Sequence, residues 1–198
     1  MPEVDVGGLH ERTRRAVRAE IAAVAMRLFL EYGFAATTMD RIANEVGLSR
    51  RSLFRYFGTK EDIVLGDHED QGRLLLAALE SRPMSESPWE ALRSAFGVFV
   101  EQLAYAPGDL LALTRMLHDT PSLHARQAEK QRQWLEPLTP NIAARLAERP
   151  DELTELRARA IVAAALSCSE LAMHAWARSN GEADMAELFD AAVAAVRA

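Results

Sequence analysis

Residues 37–60 read TTMDRIANEVGLSRRSLFRYFGTK, and this stretch decides the fold. Thr37 and Thr38 are candidate caps for a short helix with Met39, Ile42, Ala43 and Val46 on its apolar side. Gly47 ends that helix, because glycine alone takes a left-handed C-terminal conformation without steric cost. Ser49 caps a second short helix, for which Leu53, Phe54 and Phe57 are the expected inward face. Two capped helices joined by a tight turn form a helix-turn-helix. Arg50, Arg51, Ser52 and Arg55 remain for the outside of the second helix, the donors needed to meet a DNA groove.

Charge distribution supports that reading. The 198 residues carry a net charge of −6, which alone argues against nucleic acid. Residues 10–60, however, hold ten Lys/Arg against five Asp/Glu, whereas residues 67–198 hold 13 against 20. One end is therefore suited to a polyanion and the other is not. Apolar residues make up 49% of the chain and charged residues 26%, enough for a packed core and too balanced for disorder. No run of about 18 uncharged apolar residues is present, so no membrane partner is expected. The segment MPEVDVGGLHERTRR lacks the apolar stretch of a secretory leader. The single Cys168 rules out an internal disulfide. These features together point to a cytoplasmic setting.

Outward from the motif, residues 1–9 contain Gly7-Gly8 and no periodicity, and read as a flexible arm. From about Thr13 to Tyr32, Val17, Ile21, Val24, Ala25, Leu28 and Phe29 recur at helical spacing up to the stop at Gly33. Arg12, Arg14, Arg15 and Arg18 crowd the expected start of that helix, where the helix dipole disfavours cations. An external phosphate accounts for them better than helix stability does. Thr59 begins a capping-box pattern, and a continuous helix is expected from there to about Glu80, shared by both halves of the chain. Its start, with Lys60, offers a second phosphate contact.

RPMSESP (82–88) reads as a linker ending in a Ser-Pro helix start. Helices are then expected over 89–106, 109–120, 121–148 (disturbed by Pro137 and Pro140), 151–179 and 183–197. With no strand pattern, the chain is all-α, with about nine helices. They fall into an arm (1–9), a three-helix DNA-binding bundle (10–60) and a helical ligand-binding and dimerisation domain (61–198). The last two helices are rich in alanine and carry apolar residues on more than one side. That pattern suits a homodimer interface formed by those two helices.

The run AMRLFLEYGFAATTMDRIANEVGLSRRSLFRYFGTKEDIV resembles the N-terminal signature of the TetR family of bacterial regulators. The likeness is carried by Phe29, Gly33, Phe34, Thr37, Thr38, Ile42, Ala43, Gly47, Leu48, Ser49, Leu53, Phe54, Tyr56, Phe57, Lys60 and Glu61. It implies a homodimer on a palindromic double-stranded DNA operator, repressing until a small molecule binds the C-terminal domain. It further implies phosphate contacts from Thr38 and Lys60, a backbone contact from Tyr56, and Arg50, Arg51, Ser52 and Arg55 on the recognition helix. Position 54 is often tyrosine in the family, so Phe54 is a departure that removes a hydroxyl. Arg51 is often a smaller residue there. The stretch FRYFGTKEDIVLGD and the break that follows are similar to a branch whose effectors are acyl-CoA-like.

Candidate lining residues for an effector site are Trp89, Phe96, Phe99, Tyr105, Met116, His124 and Trp134. Arg115 and His118, three residues apart on one helix, are placed to hold an anionic head group. No histidine spacing suggests a metal site, and no cofactor motif is present. Two other classes remain open to the sequence: a ligand-binding protein of this fold without operator binding, and an all-helical enzyme, for which the nucleophile and phosphate-loop motifs are missing.

Overall fold

The structure is a computed structural model that describes residues 6–66, 68–102, 107–146 and 151–198. It is all-α, with eleven helices and no strand among the described residues: α1 (Val6–Tyr32), α2 (Met39–Glu45), α3 (Arg50–Tyr56), α4 (Lys60–Leu65), α5 (His68–Glu80), α6 (Pro88–Gln102), α7 (Pro107–Asp119), α8 (Pro121–Arg132), α9 (Leu135–Leu146), α10 (Thr154–Arg178) and α11 (Met185–Arg197). The chain divides into two compact units, Met1–Gly66 and Asp67–Ala198. The division falls six residues after the boundary expected at 60.

Two expected helices are each split, which accounts for eleven segments rather than nine. The stretch expected to run unbroken to Glu80 stops at Gly66, whose φ of 67° and ψ of −156° only glycine adopts without strain. The stretch after Pro121 breaks at Gln133–Trp134, not at its prolines. Pro137 sits in the first turn of α9, where backbone N–H groups have no intrahelical partner, and Pro140 is carried inside the helix.

The arm and the first helix also differ from expectation. Residues 6–9 already belong to α1, whereas residues 1–5 lie outside the described residues. The arginines at 12–18 are therefore not at a helix start. Arg14 and Arg15 lie more than two turns in, beyond the first turn in which the helix dipole acts on a charge. Tyr105 and the break expected at 149–150 fall outside the described residues.

In the first unit, Ile21, Leu28 and Phe29 of α1 pack with Ile42 of α2, Leu53 of α3 and Ile63 of α4, all essentially excluded from solvent. Each such side chain contributes about 1.5–3 kcal/mol on burial. In the second unit, α10 is central and packs on α6, α7, α9 and α11. Its inward residues Ala158, Val162, Ala165, Leu166, Cys168 and Ala172 are buried, and burial raises the Cys168 thiol above its ordinary value. α10 is also the one helix among the described residues long and apolar enough to cross a membrane by length and composition, with only 33% of that window buried inside the fold. Its apolar content exceeds what its core face uses.

Candidate nucleic-acid interface

The helix-turn-helix is built from local hydrogen bonds. Thr38 has extended backbone and its Oγ1 accepts from Arg41 N at 3.2 Å, capping α2. Thr37 is not a cap: it is buried, and its hydroxyl donates to Gly33 O at 2.9 Å, tying the α1–α2 turn together. Gly47 takes φ 68°, and Leu48 N returns to Ala43 O at 2.9 Å to close the end of α2. Ser49 Oγ then accepts from Ser52 N at 3.1 Å to start α3.

On α3, Leu53 is fully buried and Phe57, just beyond it, is 4% exposed, so the helix is anchored by one face. Arg50, Arg51 and Arg55 are exposed on the other, with Ser52 and Tyr56 half-buried between the two. Phe54 corrects the expected inward face. It is 41% exposed, and its ring lies 5.6 Å from the Arg50 guanidinium carbon. Arg50 Nη1 is also 3.3 Å from Asp40 Oδ2, at the first turn of α2. Three guanidinium groups on the outer face of a short, firmly seated helix can donate in pairs to base edges or to phosphate oxygens.

Two of the cations near this surface have other work. Lys60, expected among the phosphate contacts, turns inward: Nζ donates to Phe34 O at 2.8 Å and Thr37 O at 3.3 Å, and lies 4.3 Å from the Phe34 ring centre. A lysine with its donors on the carbonyls of the α1–α2 turn holds the unit together. Arg18 donates to the Tyr56 carbonyl and lies 4.3 Å from the Phe57 ring centre, seating the C-terminal end of α3. Arg14 and Arg15 are exposed on α1. Sequence reasoning missed the ties between helices, among them Arg27 with Glu45 and Arg41 3.5 Å from the centre of the Tyr32 ring. Glu45, as hydrogen-bond partner, raises the Arg27 guanidinium above its ordinary value.

In the second unit the expected effector residues separate into two groups. Phe96, Phe99 and Trp134 are buried in one core, against which the half-buried Trp89 packs. Trp134 meets Phe99 edge-on at 5.7 Å, stacks on His68 at 4.4 Å, and donates from Nε1 to His68 O at 3.3 Å. Gly72 permits that position, because a Cβ there would lie 2.7 Å from Trp134 Nε1. Arg115 and His118 are not placed with these aromatics in the core. Arg115 is exposed and donates to Ala177 O at 3.2 Å and to Asn180 Oδ1, satisfying the carbonyl end of α10. His118 stacks on His174 with ring centres 3.3 Å apart. The expected head-group pair is therefore engaged with α10 and the turn after it. His124 likewise lies 2.8 Å from Glu170, away from the aromatic core.

Residues 21–66 match a family model described as bacterial regulatory proteins, tetR family, and residues 86–198 match one described as MftR C-terminal domain. The chain is 32% identical over 175 residues to the HTH-type transcriptional regulator TcmR of Streptomyces glaucescens, covering 85% of this chain and 76% of that protein. It is 31% identical over 126 residues to the HTH-type transcriptional repressor AcnR of Corynebacterium diphtheriae, covering 58% of this chain and 57% of that one. Among solved structures it is similar to FadR of Thermus thermophilus, a TetR-family transcriptional repressor in complex with lauroyl-CoA. The TM-score is 0.52 and the identity 25%, over 89% of this chain and 91% of that one.

Proposed function

Because this chain belongs to the TetR family of bacterial regulatory proteins and is a DNA-binding transcriptional regulator, we propose that it represses from a palindromic operator as a homodimer and is released by a small molecule. The observation that carries this reading is the exposed arginine face of α3, held by the buried Leu53 and Phe57. Arg50, Arg51, Ser52 and Arg55 face the major groove, against base edges or the phosphates that flank it, while Thr38, Ser49, Tyr56, Arg14 and Arg15 contact the backbone. Lys60 supports the turn instead of reaching a phosphate. Two recognition helices in successive major grooves stand about 34–36 Å apart.

Dimerisation through α10 and α11 is supported by the outward side of α10. Leu156, Ala160, Ala163, Ser167 and Leu171 follow one another at three- and four-residue spacing and are all exposed, as is Val196 of α11. Leu156 and Leu171 are 64% and 60% exposed, apolar area that a second copy would cover. The effector is read as an acyl-CoA-like molecule, on the likeness to FadR, which was solved with lauroyl-CoA. Its apolar part would lie against Trp89, Phe96, Phe99 and Trp134. The reading assigns the protein no reaction and no cofactor, and puts it in the cytoplasm with its DNA.

The test is selection of genomic fragments by the purified protein, followed by gel shift at stated salt with and without lauroyl-CoA. Enrichment of an inverted repeat, and its release by the acyl-CoA, supports the whole reading. Enrichment without release removes the acyl-CoA effector and leaves the operator. No enrichment over random duplex removes the repressor.

A further inference from the structure

An acidic side chain on a DNA-facing helix repels phosphate, and Asp40 is such a side chain. It lies in the first turn of α2, exposed, two residues after the cap Thr38. A carboxylate near a helix N-terminus interacts favourably with the helix dipole, which explains an acid there but not its partner. That partner is Arg50, the first residue of α3, whose Nη1 is 3.3 Å from Asp40 Oδ2. On the other side, the exposed ring of Phe54, one helical turn on, lies 5.6 Å from the same guanidinium. Among the described residues, Arg51 and Arg55 have no comparable cradle.

We propose that Asp40 is a positioning residue for sequence reading. With Phe54 it holds the Arg50 guanidinium in one orientation, so that Arg50 reads a guanine while Arg51 and Arg55 serve the phosphates. The carboxylate accepts a hydrogen bond from Nη1 of the guanidinium. The remaining donors keep a fixed plane, which is what bidentate pairing with guanine O6 and N7 requires. The same negative charge draws Arg50 away from neighbouring phosphates and weakens attachment to DNA of any sequence. Phe54 fits this arrangement: it offers the guanidinium a ring face and carries no hydroxyl to compete for phosphate. This inference rests on the operator-binding reading above.

The experiment selects binding sites from random duplex DNA with the wild-type chain and the variants Arg50→Ala, Asp40→Asn, Asp40→Glu and Phe54→Ala. Affinity for the selected site and for random duplex, and melting temperature, are measured for each. Arg50→Ala is expected to erase the preference for guanine at one position per half-site. Asp40→Asn should lower the preference at that same position by about fivefold or more, the lower end of what a bidentate arginine–guanine pair supplies. Affinity for random duplex should hold or rise, and Asp40→Glu should restore part of the preference. A preference unchanged in Asp40→Asn overturns the inference. So does a loss at a different position, which would mean that Asp40 reads a base itself. An equal loss of affinity on both DNAs with a lowered melting temperature reduces Asp40 to a helix-stabilising acid and overturns it as well. If the wild-type chain selects no sequence, the operator reading fails and the inference falls with it; a selected site that is indifferent to Asp40 sinks the inference alone.

Discussion

Arg18 and Tyr56 are 38 residues apart in sequence, yet the Arg18 guanidinium donates to the Tyr56 carbonyl and covers the Phe57 ring beside it. The long first helix thereby holds the far end of the recognition helix, where the short α3 has few intrahelical hydrogen bonds of its own. Replacing Arg18 by methionine keeps the apolar stem and removes the charged donor. The expected cost is about 1–2 kcal/mol in the first unit. Operator affinity should fall while base preference stays unchanged, measured by melting and by site selection. A changed base preference would instead place Arg18 on the DNA.

The outward side of α10 predicts the oligomeric state. Leu156→Arg combined with Leu171→Arg puts two like charges, which cannot pair across a two-fold axis, on a face that a second copy would bury, and such charges cost several kcal/mol in an interface. Sedimentation at micromolar concentration should show a dimer for the wild-type chain and a folded monomer for the double variant, with helical content retained. A double variant that stays dimeric would move the interface elsewhere.

Arg145 secures the end of α5. From α9 its guanidinium reaches Pro83 O at 2.6 Å, Arg82 O at 3.1 Å and Leu79 O at 3.3 Å, and its Nε donates to Asn141 Oδ1 at 2.8 Å. Burial among these carbonyls lowers the guanidinium below its ordinary value, although the neighbouring Glu86 opposes the shift. Arg145→Met leaves helix-terminal carbonyls without their donor and is expected to destabilise by about 2–3 kcal/mol. Arg145→Lys should recover little, since one ammonium cannot span the same acceptors. Urea unfolding of both variants checks this.

Stability should fall on acidification in two steps. His174 is held below the ordinary imidazole value, first by burial and then by repulsion from His118 and Arg178, with Asp119 and Glu170 opposing. The unfolded chain therefore takes up the proton first, and stability declines as pH drops below about 6.5. Glu86, held down by its hydrogen bond from Arg82, Glu90 by Ser87, and Asp151 by Thr154 and then Arg157, contribute in the carboxylate range. Their contributions are present above the unfolded carboxylate values and are lost as pH falls through the lower folded ones. Melting temperature measured from pH 8 to pH 3 should show both steps, and His174→Gln should flatten the first.

How far the sequence could be read depended on the range of each signal. Thr38, Gly47 and Ser49 announce α2 and α3 because a cap or a left-handed turn acts within a few residues, and the structure has all three in those roles. The break at Gly66 was hidden because Ile63, Val64, Leu75 and Leu79 fit one continuous apolar stripe, and a lone glycine inside a helix is tolerated. Prolines misled at 137 and 140, since one lies where helices accept it and the other is carried inside α9. Gly7-Gly8 suggested an arm, yet α1 runs through both. The roles of Arg18 and Lys60 were not legible at all: long flexible side chains choose partners 38 and 23–26 residues away, and no local pattern records that choice.

The inward turn of Lys60 has a chemical consequence. The sequence contains only two lysines, Lys60 and Lys130, and the basic first unit holds just the former. With Nζ of Lys60 on the carbonyls of the α1–α2 turn, the outward cationic side chains of that unit among the described residues are arginines alone. Acylation of lysine, a common means of neutralising a DNA-facing surface, finds no outward target there. Guanidinium also stays protonated throughout the range in which a protein is folded. The positive face of this unit is thus permanent with respect to lysine acylation and proton concentration alike.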